Sequence, residues 1–288
     1  VTRIQRVEVV ANVASGSVGA GAPAEIEALL AEFSVAARVT APDPADLVAA
    51  LKAAIDRGPD VVIVLAGDGT ARAAAELAGP DGPAIAPLPG GTMNMLPHAI
   101  YGQRSWQEAL RLALSDGEID TLGGGEVEGR RFLVAAILGA PALWAPAREA
   151  ARQGRPKLAM LRARRALRRA FTGRLRFSLD SGPREKAEAL VLMCPRTSRG
   201  LDDDEQVLEA AAMDPAGAAE AFRLGVSAML GDWRADPSVM VERCRVARVW
   251  ASSGIPALLD GEPVRLSALA EVVYRPHLAR VLALREGG

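Results

Sequence analysis

Two stretches decide the fold: "VVIVLAGDGTARAAAEL" (Val61–Leu77) and "APLPGGTMNMLPHAI" (Ala86–Ile100). Each runs from apolar, β-prone residues into a glycine turn carrying a hydroxyl, then into a helix-forming segment. A short uninterrupted apolar run bounded by glycine reads as a strand buried on both faces, the signature of a parallel sheet. Working outward, "RVEVVANV", "VAARVTA", "DVVIVLA" and "GPAIAPL" read as strands. "AEIEALLAEF" and "PADLVAALKAAIDRG" read as the helices between them, the second with Asp43 or Asp46 near its start and Gly58 past its end. Strands alternating with helices of this length imply βαβ units and an open sheet covered on both faces. Ligands of such sheets bind at the carboxyl ends of the strands. The glycine turns Ser15–Gly21, Gly67–Gly69 and Gly90–Gly91 all fall there.

After "SWQEALRLALSDG" the texture changes to short strands and glycine turns, as in "EIDTLGGGEVEGRRFLVAAILGA", "GRLRFSLDSG", "KAEALVLMCPR", "QVLEAAAMD", "MVERCRVARVWAS" and "IPALLDGEPVRL". The expectation is an α/β nucleotide-binding domain over residues 1–121 and a β-rich, sandwich-like substrate domain over 122–288. Helical stretches interrupt the second at Pro141–Phe171 and Pro215–Trp233, and the last 15 or so residues are free to pack back on the first domain.

The 288 residues carry a net charge of −1, so no global field steers the chain to nucleic acid. Cys194 and Cys244 are the only cysteines, too few for a disulfide framework or a zinc pattern. "VTRIQRVEVVANV" lacks the continuous apolar core of a secretion signal. The longest uncharged apolar run, Phe132–Ala147, is broken by Gly139, Pro141 and Pro146 and is too short to span a bilayer. A reduced cytoplasmic setting, with peripheral attachment to the inner face of the membrane, is the expectation. Between Arg152 and Arg169 eight basic residues and no acid fall on a helical pattern with the apolar stripe Met160, Ala163, Leu167 and Ala170. That pattern suits a helix lying in lipid headgroups as well as one packed between domains.

The glycine turns suit anions. A helix N-terminus offers unpaired amides, and glycine lets the backbone approach a phosphate. Asp68, set between two glycines, needs amides to accept from or a cation to hold, and Mg²⁺ takes carboxylate together with phosphate oxygens. Thr70 is placed to cap a helix starting at Ala71, with Thr92 and Asn94 doing the same for the next. Other signatures fail: Walker A needs a lysine that these turns lack, a dinucleotide fingerprint started at Gly67 meets Arg72 where glycine is required, and no G-x-S-x-G occurs.

"AGDGT" (Ala66–Thr70) resembles the GGDGT motif of the diacylglycerol kinase catalytic domain family, which the distantly related NAD kinases also carry. "PLPGGTMN" (Pro87–Asn94) is similar to that family's second motif, "NVASG" (Asn12–Gly16) to its opening phosphate loop, and "LLDGEPVRL" (Leu258–Leu266) to its D-G-E motif. The resemblance implies an ATP- and Mg²⁺-dependent lipid kinase acting on a diacylglycerol-like or sphingoid hydroxyl. It implies nucleotide contacts from Asn12, Ser15, Gly16, Thr40, Ala66, Gly67, Asp68, Gly69, Thr70, Gly91, Thr92 and Asn94, with Asp68 at the metal. Arg72, where the family has asparagine, is added as a phosphate contact or else faces solvent. Glu262 is implied as the base and Asp260 as its positioner or a metal contact. "AAILGAPALW" (Ala135–Trp144) either lines a groove for acyl chains or forms a core strand and corner. A structural Mg²⁺ site of the family lies at a D-G-x-L segment. Its nearest match here, "DDDEQVLE" (Asp202–Glu209), lacks the glycine and reads as a solvated acidic loop. Ala66 and Met95, where the family has glycine and often aspartate, keep an inactive nucleotide-binding regulator open as a reading, beside a soluble-metabolite kinase of NAD-kinase type. A homodimer is also left open.

Overall fold

The computed structural model describes residues 4–16, 18–144, 154–158, 160–161, 174–215 and 233–284. Most of the basic segment Arg152–Arg169, and most of the stretch from Pro215 to Trp233, lie outside the described residues. The chain divides into one unit of residues 1–123 with 276–288 and another of residues 124–275.

In the first unit the elements are β1 (Arg6–Ala11), α1 (Ala22–Leu30), β2 (Ala36–Thr40), α2 (Leu47–Asp56), β3 (Val61–Ala66), α3 (Asp68–Ala78), β4 (Ala84–Pro89), α4 (Met95–Tyr101) and α5 (Trp106–Asp116). The strands stand in the order β2-β1-β3-β4, all parallel. Every residue of β3 and β4 is buried, which is why both read as unbroken apolar runs, whereas edge strand β2 is largely exposed. Helix α1 buries Ile26, Leu29 and Leu30, and α2 buries Leu51 and Ala54, one stripe of each. α2 ends where Gly58 takes a left-handed φ of +63°, and α5 begins with a full capping box between Ser105 and Glu108.

β5 (Gly117–Val127) and the closing strand β16 (Leu269–Leu284) each run from one unit into the other. Within the first unit β16 lies parallel to β4, pairing Val281 with Ile85, and the Tyr101 hydroxyl donates to Leu282 O at 2.5 Å.

The second unit holds β6 (Arg130–Phe132), β7 (Ala135–Gly139), β8 (Leu175–Leu179), β9 (Glu185–Ala187), β10 (Ala189–Met193), β11 (Leu208–Met213), β12 (Val239–Cys244), β13 (Val246–Trp250), β14 (Ile255–Leu259) and β15 (Glu262–Leu266). One antiparallel sheet has the order β12-β11-β10-β7-β14-β15. A second antiparallel set joins the start of β16 to β13, β8 and β9. Leu138, Leu190, Leu192 and Leu208 of the first share a core with Phe177, Ala247, Val249 and Val272 of the second, so the β-rich half is a sandwich. Phe132 and Phe177 are fully buried there, each contributing about 1.5–3 kcal/mol of apolar burial.

"MVERCRVARVWAS" reads as one run but divides at Arg245: β12 pairs β11 in the first sheet and β13 pairs β8 in the second. "AAILGAPALW" becomes central strand β7 and a 3-10 turn over Ala140–Trp144, with Ala136 and Leu138 in the core. This is the strand-and-corner alternative. The acidic segment is not wholly solvated either, because Glu209 sits on β11 and is 1% exposed.

Candidate active site

The three glycine turns of the first unit pack on one another, backbone against backbone. A Cβ on Gly16 would stand 3.2 Å from Gly90 O and Gly91 O. One on Gly91 would stand 2.6 Å from Gly67 Cα, and one on Gly90 would meet Ala66 N at 2.9 Å and Val18 Cγ2 at 2.7 Å. Mutual approach therefore requires Gly90 and Gly91, whatever ligand they meet. Gly67 is different: its Cβ would meet nothing closer than 3.7 Å and its φ of −83° suits any residue. A Cβ there would make only ordinary contacts, with Gly91 Cα at 3.7 Å and Ser15 Oγ at 4.0 Å, so packing within the protein does not itself demand glycine at 67. Gly90 is absent from the contacts that the resemblance implies, although its place in a Gly-Gly pair after a buried strand is a signal for it.

Asn12 continues β1, donating its amide to Leu65 O at 2.9 Å, and its Oδ1 accepts from the Ala14 amide at 3.2 Å. That local turn brings Ser15 over the β3 turn, with Oγ 4.0 Å from where a Gly67 Cβ would be. Thr40 ends β2 beside Val10 at the same carboxyl edge of the sheet and is half-buried. Ala66 is the last residue of β3, in extended backbone and 2% exposed, so the strand accommodates alanine in place of the expected glycine.

Expectations for four residues, Thr70, Thr92, Asn94 and Arg72, are corrected here. Helix α3 starts at Asp68, not Ala71, with Gly67 as its N-cap residue and no side-chain cap, so Thr70 lies inside the first turn. Thr92 is exposed and caps nothing; the residue before α4 is Asn94, in left-handed conformation at φ 50°. Its side chain faces backwards, Oδ1 accepting from the Gly91 amide at 2.7 Å and Nδ2 donating to Gly91 O at 3.0 Å. The α4 N-terminus is instead capped across the turns: the Asp68 carboxylate accepts from the amides of Met95 at 3.2 Å and Leu96 at 3.0 Å. Those α4 amides are thereby used, while the first turn of α3 keeps amides that no helix can satisfy internally. Arg72 is not a solvent-facing residue; its side chain is 15% exposed and pairs with Glu76 at 3.2 Å.

Each Asp68 oxygen accepts a single amide, which leaves a lone pair on each. That fits the lone carboxylate contact Mg²⁺ makes when phosphates supply its other oxygens. Among the described residues no group of three or more His, Cys, Asp or Glu gathers to hold a metal without a substrate.

Asp260 and Glu262 belong to the 124–275 unit. Asp260 and Gly261 are the two turn residues between β14 and β15, at φ 49° and 83°, with Leu259 paired to Glu262. Two consecutive left-handed residues make the tight hairpin that Asp-Gly favours. The Asp260 carboxylate accepts from three consecutive amides: Leu133 at 2.8 Å, Val134 at 2.9 Å and Ala135 at 3.0 Å. Its own amide donates to Ala135 O at 2.9 Å. Asp260 thus anchors the hairpin on the segment between β6 and β7, and Glu262, next along the chain from Gly261, is exposed. A cavity of about 390 Å³ in the same unit, lined in part by Gly139, Arg174, Ser253 and Arg265, lies at the opposite end of β14. Neither thiol serves as a nucleophile: burial, then the Asp260 charge, pushes Cys194 well up, and burial pushes Cys244 up to about 12.

No helix among the described residues is long and apolar enough to cross a membrane. The comparisons agree with the motifs. Residues 6–126 match the family model of the diacylglycerol kinase catalytic domain. No curated protein matches the sequence. Among solved structures, a Bacillus anthracis str. Sterne protein assigned as a diacylglycerol kinase superposes with a TM-score of 0.72 at 15% identity, covering 98% of both chains. A second protein of that organism so assigned reaches 0.70 at 16% identity, again over 98% of both chains. An NAD kinase from Archaeoglobus fulgidus in complex with ATP reaches 0.56 at 14% identity, covering 98% of this chain and 95% of that one. Residues 6–126 therefore carry the sequence signature of the diacylglycerol kinase catalytic domain family, on the fold that diacylglycerol kinases and NAD kinases share.

Proposed function

We propose that the protein is a lipid kinase that transfers the γ-phosphate of ATP to the hydroxyl of a diacylglycerol-like or sphingoid lipid. The observation that carries this reading is the family match over residues 6–126, extended by the D-G-E hairpin at 260–262. Phosphoryl transfer asks a protein mainly to position the reactants and stabilise charge. The α3 first turn, which follows Gly67, would receive phosphate oxygens, with Asn12, Ser15, Gly16 and Thr40 on the same sheet edge. Asp68 would hold Mg²⁺, which neutralises phosphate charge when bound. Glu262 would accept the proton of the lipid hydroxyl as the new P–O bond forms and the bond to ADP breaks. Asp260 would position that hairpin.

The acceptor would be met at the inner face of the membrane, with the basic segment as the docking surface. The second reading, a soluble-metabolite kinase, is favoured by the likeness to the Archaeoglobus fulgidus NAD kinase. Against it stands "PLPGGTMN", whose form NAD kinases lack. The test is incubation with γ-labelled ATP and Mg²⁺, using a total lipid extract in one arm and NAD in the other, with mass spectrometry of the product. Label in a lipid phosphate supports the proposal. Label in NADP favours the second reading, and label in neither points to a nucleotide-binding regulator.

A further inference from the structure

Along β11, Leu208, Ala210 and Ala212 join the sandwich core, so Glu209 points to the other face of the sheet, where it is nonetheless 1% exposed. A carboxylate so buried needs a matched partner. Arg234, from the 3-10 turn Trp233–Ala235, supplies it in two-point geometry, Nε to Oε1 at 2.5 Å and Nη2 to Oε2 at 2.9 Å. The guanidinium also lies 4.5 Å from the centre of the Trp233 ring. The Ser198 hydroxyl donates to Oε2, and Gly200 brings its backbone to the same carboxylate, where a Cβ would stand 3.2 Å from Oε2. Two other carboxylates of the acidic segment also meet arginines, Asp203 with Arg196 at 3.1 Å and Glu205 with Arg243 at 3.1 Å.

This is the segment to which the resemblance attached a structural Mg²⁺. The donors do not fit one. Magnesium demands a near-octahedral shell of oxygens, and here both oxygens of the buried carboxylate face a guanidinium. We propose that Arg234 is the built-in counter-cation of Glu209, so that the 124–275 unit folds without a divalent metal. Any metal requirement of the chain then follows the nucleotide alone.

Thermal unfolding without nucleotide tests this, comparing EDTA with excess Mg²⁺ for the parent and for Asp68→Ala, which removes the candidate nucleotide-site carboxylate. The expected result is the same melting temperature in both solutions for both proteins. Arg234→Met should lower it by about 10 °C, since it leaves a buried charge without its partner. Glu209→Leu with Arg234→Met, which removes both charges, should recover much of that loss. Magnesium-dependent stabilisation that survives Asp68→Ala would overturn the proposal, and so would an Arg234→Met protein that melts with the parent. Should Arg234→Met fail to fold, a double variant that also fails would count against the proposal, and a folded one would support it.

Discussion

Two aspartates, one in each unit, sit in glycine-bearing turns and accept backbone amides from elsewhere in the chain, yet they are built differently. Asp260 takes three amides at 2.8–3.0 Å and is itself held in a left-handed hairpin turn. Asp68 takes two, at 3.0 and 3.2 Å, from the start of a seven-residue helix, with one accepted by each oxygen. The first arrangement is an anchor, in which carboxylate, turn and β7 are fixed together. The second leaves acceptor capacity on a carboxylate beside a helix N-terminus, where a cation and phosphates together have a use for it. A motif aspartate can thus be structural or chemical, and its hydrogen-bond partners separate the two.

Substitution should separate them as well. Asp68→Ala should nearly abolish Mg²⁺-dependent transfer while the protein stays folded, the loss of the α4 cap costing about 1 kcal/mol in a urea melt. Asp68→Asn keeps an acceptor for α4 and removes the charge, so full activity in that variant would reduce Asp68 to a cap. Asp260→Ala should have the larger effect on stability, about 3 kcal/mol, because three amides lose their acceptor together. Asp260→Asn should recover part of it, since asparagine tolerates a left-handed φ. Gly91→Ala forces a Cβ against Gly67 Cα and should weaken ATP binding ~10-fold by calorimetry, through strain of about 1–3 kcal/mol in the turns.

The smallest effect is one of pH. Burial alone would raise the Glu209 carboxyl, but its hydrogen bonds from Arg234 and Ser198 outweigh burial and hold it below its usual 4.5. A carboxyl lowered in the folded state contributes stability above its unfolded value, and that stability is lost as pH falls through the folded one. The advantage of the parent over Arg234→Met should therefore shrink as pH falls below the unfolded carboxyl value, because acid protonates the buried carboxyl that the variant leaves unpaired, and melting temperatures of the two proteins across that range check it.

Much of the first unit is legible in the sequence because its information is local. β3 and β4 are buried on both faces and read as apolar runs, and the glycine turns follow directly. The starts of α2 and α5 are legible, at Asp46 and Ser105, but those of α3 and α4 are not. Asp68 caps α4 by accepting from amides 27 and 28 positions away, and nothing in Asp-Gly-Thr announces those partners. In the second unit the strands are visible but their sheets are not, since β12 and β13 are separated only by Arg245. Glu209 reads as part of an acidic loop because its counter-charge lies 25 residues on, past a stretch with no pattern linking the two. The closing segment carries no clear strand signal of its own, because Pro276 falls inside what folds as the 16-residue β16, and a mid-strand proline argues against a strand.

The central claim is a division of labour, with the nucleotide held by the turns of the first unit and the acceptor hydroxyl activated by the hairpin of the second. Glu262→Gln tests it most directly, because the side chain is exposed and the substitution keeps its shape. The measurement is the single-turnover rate of lipid phosphorylation beside the ATP affinity of the same protein. The account predicts a rate lower by ~10²–10⁴ with ATP affinity unchanged. A rate close to the parent's, or a loss of ATP binding, would contradict it.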